Sequence, residues 1–584
     1  MKVLNLIYIF LLFGLTAFGQ QKPNVVMILT DDQGYGDLGV TGNPHISTPN
    51  IDQFAKENVT LDHFLVNAVC APTRASLLTG RYNLATGVNW VTRRKEVMNA
   101  DEVTLAELFK SNNYQTGLFG KWHNGSTYPH NPVGQGFDTF FGFCSGHWNN
   151  YFDTELENEK GEYEKTEGYI TDVLTDRAIQ FIEKNKDENF FCFIPYNAPH
   201  APFQVGDEYY SKYEKMGLDE RTAAVYGMCE NIDDNVGRLI AKLKDLGLYE
   251  NTIFIYTTDN GPNGERYNAE MRGKKATVHE GGVRVPLFIK APGMKKEKVE
   301  QLTAHIDIFP TLAELCSISV PDTLEIHGKS LVPLMKGKDK NWEDRIIYTH
   351  NQPWHFEEAP AGAVRNEQYR LVMSKENDTT LYNMNIDPSQ LNDLSKSKPE
   401  VVKEMTADYH NWFMDMTNGG KEPLAEKIQV GHKEAPKTVL AAVDGTTRNK
   451  VRYEGKGWSN DWVKNFKNKK GVIQWDIKVV EDGDYNFDML YSCSEAFVGF
   501  KLMIEVGDKI ITKQIQQAFK TQQIESPDRE ERTEVHEFTW GDMKMGKIHL
   551  KKGKYKVKVR VSNDINPAND FRLKEIVINS TQQS

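Results

Sequence analysis

The sequence predicts an α/β protein with a mostly parallel central sheet flanked by helices, then a smaller region of short strands with one helix, then an appended β-sandwich. Three observations carry this. Short, continuously apolar runs recur and stop abruptly at polar residues, as in strands buried on both faces of a parallel sheet. Stretches with apolar residues every three or four positions lie between them, at 170–184 and 222–246, and alternation of the two patterns builds an α/β layer structure. Beyond residue 431 the period becomes two, the mark of half-buried antiparallel strands.

At 584 residues the chain exceeds one core, and two or three domains are expected. The divisions read from the pattern are a leader at 1–19, a main α/β region at 20–340, a smaller region at 341–430 and the sandwich at 431–584. A formal net charge of −11 argues against general nucleic-acid affinity, so an anionic ligand needs a local basic pocket. Met1-Lys2-Val3, an apolar stretch over 4–18 and Ala17-Phe18-Gly19 form a signal-peptide layout with cleavage before Gln20. The apolar run is short for a membrane span, so the expectation is an exported protein, periplasmic or secreted, with no transmembrane anchor in the mature chain. The six cysteines read mostly as buried small residues, with any disulfide pairing left open.

The first apolar run, Asn24-Val25-Val26-Met27-Ile28-Leu29-Thr30, ends at Asp31-Asp32, and two adjacent carboxylates call for a neutralising cation. The same punctuation places Lys121 and His123 after 116–119, Asn197 and His200 after 190–195, and Asp259-Asn260 after 253–258. Ligands of open α/β sheets bind beyond the carboxyl ends of the strands, so these polar groups are expected at one rim. Cys70-Ala71-Pro72-Thr73-Arg74 leads into an apolar run ending Thr79-Gly80-Arg81. It reads as a loop entering a helix, with Cys70 at a helix N-terminus that favours an anion.

On Cys70-x-Pro72-x-Arg74 the chain resembles the type I sulfatases of the alkaline phosphatase superfamily. The resemblance covers about 23–417, including the Thr30-Asp31-Asp32-Gln33-Gly34-Tyr35-Gly36-Asp37 run, Lys275 ahead of Glu280-Gly281-Gly282, and the 305–312 and 327–331 segments. It implies an alkaline-phosphatase-like fold whose C-terminal subdomain is a small antiparallel sheet with one helix, here about 342–417. Ala276 departs from the family, which often carries glycine after this lysine. The resemblance also implies that a formylglycine-generating enzyme oxidises Cys70, and that one hydroxyl of the aldehyde hydrate attacks sulfur. The implied metal set is Asp31, Asp32, Cys70, Asp259 and Asn260. Within it Asp31, Asp32, Asp259 and the Asn260 amide oxygen form an all-oxygen, anionic group, which suits one Ca2+ better than zinc. The implied catalytic set is Cys70, Arg74, Lys121, His123, His200 and Lys275. His123 takes the proton that expels sulfate, His200 with Lys275 serves the departing alcohol oxygen, and Lys121 and Arg74 hold the sulfate.

Arg93, Arg94, His147, Trp354 and His355 are further candidates for substrate recognition, weighed against ordinary surface or core positions. The alternating strand at 554–561 and candidate strands at 472–480, 484–491 and 497–506 define the sandwich. By layout it resembles carbohydrate-binding modules, with Trp458, Trp462 and Trp540 available to stack on sugars and the lysines of 464–470 to meet sulfates. Core tryptophans and a solvated loop are the plainer reading. The expected activity is hydrolysis of sulfate esters on a sulfated carbohydrate. The alternatives are a phosphonate or phosphodiester hydrolase, or an inactive glycan-binding protein.

Overall fold

The computed structural model describes residues 22–338, 342–351, 361–374, 378–466, 469–561 and 571–581. The leader, Trp354, His355 and Lys467 therefore lie outside the described residues. Four parallel strands form the centre of a ten-stranded mixed sheet, in the order Thr252–Thr258, Asn24–Thr30, Phe190–Pro195, Gln115–Lys121. Thr30 is in register with Thr258 and Leu29 with Pro195, so the polar residues after each strand emerge at the same rim. These strands are buried along both faces, which is why their sequences are continuously apolar.

Successive residues of Asn24–Thr30 serve opposite cores. Val26 and Ile28 pack with helices Pro49–Glu57, Ile170–Lys184 and Glu220–Asp245. Val25, Met27 and Leu29 pack with Cys70–Thr79, Leu105–Lys110 and Ile308–Leu315. The helix that begins at Cys70 is thus wedged between the sheet and the outer helices, and all ten of its residues are buried.

The smaller region is a four-stranded antiparallel sheet in sequential order, Ile347–His350, Gly362–Arg365, Tyr369–Met373 and Thr379–Asn383. Helix Pro399–Met416 covers it through Met405, Tyr409, Trp412 and Phe413. The C-terminal part is two sheets packed around one core, with Trp475, Val557 and Val559 from one sheet and Phe487, Leu573 and Ile576 from the other. Two details differ from the sequence pattern. Ile428–Val430 already pairs in parallel with Val472–Val479, so the sandwich sheet starts ahead of the break expected near Gly431. The strand expected over 497–506 begins only at Lys501, because Glu495–Phe497 closes a 3-10 turn that buries Phe497. All six cysteines are buried thiols. Among the described residues, no helix is long and apolar enough to cross a membrane.

Candidate active site

Cys70 is the first residue of its helix, 2% exposed, with Val69 extended as the N-cap. The approach to it is fixed by His305. The ring Nδ1 of His305 donates to the Leu65 carbonyl at 3.1 Å, and its Nε2 accepts from Asn67 Nδ2 at 3.0 Å. The Asn67 amide in turn donates to Thr73 Oγ1 at 3.0 Å, tying the loop to the helix it feeds. Burial pushes the Cys70 thiol up, outweighing Lys121 and Lys275 beside it. An unmodified thiol here is not a ready thiolate.

Three buried carboxylates meet three cations at the sheet rim. Lys121 Nζ lies 2.6 Å from Asp31 Oδ2. Lys275 Nζ lies 2.7 Å from Asp32 Oδ2. The guanidinium of Arg74 grips Asp259 Oδ2 through Nε at 3.1 Å and Nη2 at 2.8 Å, and donates from Nη1 to the Lys121 carbonyl at 2.9 Å. Burial alone would raise the Asp32 carboxyl, but Lys275 and His200 outweigh it and hold it below the usual range. Asp259 goes the other way, pushed up to about 7 by burial and by Asp31.

The acidic residues converge as a cluster able to hold a metal ion. Asp31, Cys70 and Asp259 each bring a ligand atom within 4.8 Å of the others, as do Asp31, Asp32 and His200. Asp31 Oδ1 and Asn260 Oδ1 are buried without a hydrogen-bond partner, while Asn260 Nδ2 donates to Asp32 Oδ1 at 2.8 Å. Two orphaned buried oxygens beside paired carboxylates fit the donor set of a hard cation.

His123 follows the Gln115–Lys121 strand in a left-handed conformation, φ 65°. Its Nε2 donates to the Val91 carbonyl at 2.8 Å, so Nδ1 carries the lone pair, buried and unpartnered. Burial first, then Lys121, pushes its pKa well below the usual histidine value, so the ring stays neutral. His200 donates from Nδ1 to the Ala201 carbonyl at 2.6 Å and turns Nε2 toward Asp32 Oδ2, 3.6 Å away. Asp32, at φ 66°, and Ala276, at φ 64°, are also left-handed without being glycine, so three site positions carry backbone strain.

Lys275 is held by the smaller sheet. Arg370, fully buried, donates to Glu280 Oε2 at 2.8 Å and to the Val278 carbonyl at 2.7 Å, clamping the Glu280-Gly281-Gly282 turn. That turn presses on the metal loop. Gly261 N donates to the Gly282 carbonyl at 3.0 Å, and a Cβ on Gly261 would come 2.2 Å from the Gly281 carbonyl oxygen.

Cys70, His123, His200 and Lys275 share a cavity of about 290 Å³ with His147, whose ring stacks on that of His200 at 6.2 Å between centroids. Arg74, Lys121, Asp31, Asp32, Asp259 and Asn260 are not part of its lining. Arg93 and Arg94 do not line it. Arg93 donates to the carbonyl of Lys456 at 2.7 Å and lies over the Tyr453 ring, and Arg94 donates to the Glu426 carbonyl, so both serve the junction with the sandwich. Trp462 is 3% exposed and packs edge-on against Trp540 and Phe538, which makes it a core residue, and Lys464 pairs with Glu454. Trp458, by contrast, lines the cavity, as do Trp90, Asn263, Ser459, Thr533 and Glu534, which the sequence did not single out. Trp90 stands shortly before the Arg93-Arg94 pair, a signal available in retrospect, but nothing local marks Glu534.

Residues 23–318 match the Sulfatase family model, and residues 273–417 match that of the N-sulphoglucosamine sulphohydrolase C-terminal region. The sandwich lies beyond both. The chain is 31% identical over 417 residues to the ulvan-active sulfatase of Formosa agariphila, covering 65% of this chain and 78% of that one. It is 33% identical over 361 residues to mouse N-acetylgalactosamine-6-sulfatase, covering 55% and 68%. The solved structure of Ps i-CgsB with k-i-k-neocarrahexaose is similar at a TM-score of 0.64 and 31% identity, covering 70% of this chain and 95% of that one. The phosphonate monoester hydrolase of Agrobacterium radiobacter, at 20% identity and a TM-score of 0.53, shares the fold. With a match over half its length and this rim of paired carboxylates, lysines and histidines around Cys70, the chain belongs to the sulfatase family.

Proposed function

We propose that this protein hydrolyses sulfate esters on the sugars of a sulfated polysaccharide or its oligosaccharides, as an exported enzyme that uses one Ca2+ and a formylglycine made from Cys70. The observation that carries it is the cavity around Cys70, where a helix N-terminus, Lys275 and the three histidines His123, His147 and His200 face one volume beside an acidic cluster able to hold a metal ion. The relatives that act on sugar sulfates support the substrate class. Asp31, Asp32, Asp259, Asn260 and residue 70 would hold the cation, which would supply positive charge to offset the negative charge on the sulfate oxygens. Oxidation of Cys70 by a formylglycine-generating partner supplies the attacking hydroxyl once the aldehyde is hydrated.

The protein's own groups do the rest. Arg74 holds Asp259 and the 121 carbonyl in place, so the floor of the site does not reorganise when charge moves. Lys121 and Lys275 bring positive charge against an anionic ester. His123 Nδ1, buried and without a hydrogen-bond partner, takes the proton whose loss from residue 70 expels sulfate. His200 Nε2 and Lys275 stand on the leaving-alcohol side.

The test is a peptide mass for the Cys70 fragment from native-host protein, paired with sulfate release from a panel of sulfated glycans. Conversion of Cys70 with sulfate release is expected. Turnover of phosphonates or phosphate diesters in place of sulfate esters, or activity with unmodified Cys70, would overturn it.

A further inference from the structure

The cavity has two walls from distant parts of the chain. One carries Cys70, His123, His200 and Lys275; the other is made by two loops of the C-terminal sandwich, which contribute Trp458, Ser459, Thr533 and Glu534. We infer that these loops are the sugar-recognition wall of the catalytic cavity, with Trp458 stacking on the ring that bears the sulfate and Glu534 accepting its hydroxyls, and that the ring is uncharged apart from its sulfate. This rests on the cavity being the sulfatase site.

The loop bearing Trp458 is rigid and docked. The Asp461 carboxylate accepts from the amides of Gly455 at 3.0 Å, Gly457 at 2.8 Å and its own neighbour Trp462 at 2.8 Å, winding the loop around one side chain. Lys456 Nζ lies 4.5 Å from the centroid of the Trp458 ring, fixing the indole from one side. Ser459 Oγ then accepts from Gly146 N at 2.9 Å, and Asn460 Nδ2 donates to the His147 carbonyl at 2.9 Å. An indole held this way is a stacking surface with little left to order on binding.

The second loop is seated more firmly still, on the segment that carries His200. Arg529 donates from its backbone to the Phe203 carbonyl at 2.9 Å and from Nη2 to the Val205 carbonyl at 2.8 Å. Gln204 Nε2 donates to Asp528 Oδ1 at 2.7 Å, and Arg532 Nη1 to the Asn149 carbonyl at 2.8 Å. At the end of this loop Glu534 has one long hydrogen bond, from Thr533 Oγ1 at 3.4 Å, and no ion-pair partner among the described residues. The nearby cations Lys121 and Lys275 are already matched to Asp31 and Asp32. An unpaired carboxylate lining the cavity on the His200 side accepts from sugar hydroxyls and repels a second carboxylate, which selects a neutral ring over a uronate.

The test uses the full-length chain carrying Cys70→Ala, with binding measured by calorimetry for two probes: a sulfated neocarratetraose, whose rings are neutral, and a disaccharide whose sulfated ring is itself a uronate. Trp458→Ala is expected to weaken the neutral probe at least about tenfold. Glu534→Gln should weaken it about fivefold while tightening the uronate probe, and the same changes should appear in kcat/KM in the Cys70 background. Glu534 sits in a polar loop and serves as the readout if Trp458→Ala melts early. Affinities and kcat/KM within twofold of the parent for both variants would overturn the subsite. Sulfate release that is normal in both variants leaves the sulfatase reading standing and sinks only the wall. Binding that depends on Trp458, from a wild-type chain that releases no sulfate, does the reverse; neither binding nor release would sink both.

Discussion

Lys275 Nζ stands 2.7 Å from both carboxylate oxygens of Asp32, one of which also accepts from Asn260 Nδ2. The lysine therefore does the work of a second positive charge in the metal cluster. Lys275→Ala leaves the Asp32 charge buried and short of a partner, at a cost of about 3–5 kcal/mol. Calcium should restore part of it. Thermal melts with calcium and with chelator are expected to differ more in the variant than in the parent, and equal shifts would separate Lys275 from the metal.

Cys70→Ser should fold normally, because the side chain is buried at a helix start and nearly isosteric. Multiple-turnover sulfate release should fall about 10³-fold or more, as for loss of a nucleophile. Intact mass after incubation with substrate should show one sulfonate retained on residue 70, since serine lacks the second hydroxyl whose deprotonation frees it. Turnover comparable to the parent would remove residue 70 from the chemistry.

Ala276→Gly should raise stability. At φ 64° a non-glycine residue carries about 1–2 kcal/mol of strain, against about 0.5–1 kcal/mol for the extra entropy glycine loses on folding. The net expectation is up to about 1 kcal/mol of stabilisation, read as a rise in Tm. Ala276→Val should lower Tm, because a branched Cβ worsens the same strain.

Stability should decline as the pH falls below about 6.5, the ordinary histidine value. Burial lowers His305 to about 3, His130 to about 4 and His279 to about 4. Below 6.5 the unfolded chain binds protons that the folded chain refuses, so the stabilisation is complete above that pH and is lost toward the folded values. Each such histidine withdraws up to about 1.4 kcal/mol per pH unit in that window. For His305, burial is the main cause, and protonating Nε2 would in addition break its bond from Asn67. Denaturant midpoints from pH 7.5 to 4.5 should show this slope, and His305→Gln should flatten it.

The strand ends were legible because burial on both faces makes a strand's apolar run continuous and its polar terminus conspicuous. Asp31, Lys121, His200 and Asp259 could each be placed from such an ending alone, and parallel pairing then aligns them. The walls of the cavity were not legible in the same way. Glu534 reaches it only because Arg529 and Arg532 seat their loop on carbonyls of the α/β part, and backbone carbonyls leave no trace in sequence. Arg93 and Arg94 misled for the matching reason: placed next to the catalytic helix, they spend their donors on carbonyls of the sandwich and its approach.

The seating of the 526–534 loop on the His200 segment also bears on how this enzyme can be taken apart. Appended modules are commonly grafted between enzymes because a tether is all that joins them. Here the tail grips the segment that follows His200, through Arg529 and Asp528, and the Asn149 carbonyl, through Arg532. Cutting the chain after the Pro399–Met416 helix would leave a half with an open, misaligned cavity. The tail would be a poor cassette elsewhere, since its docking surface lies on loops of this chain's own α/β part. The two parts are heritable only as a pair.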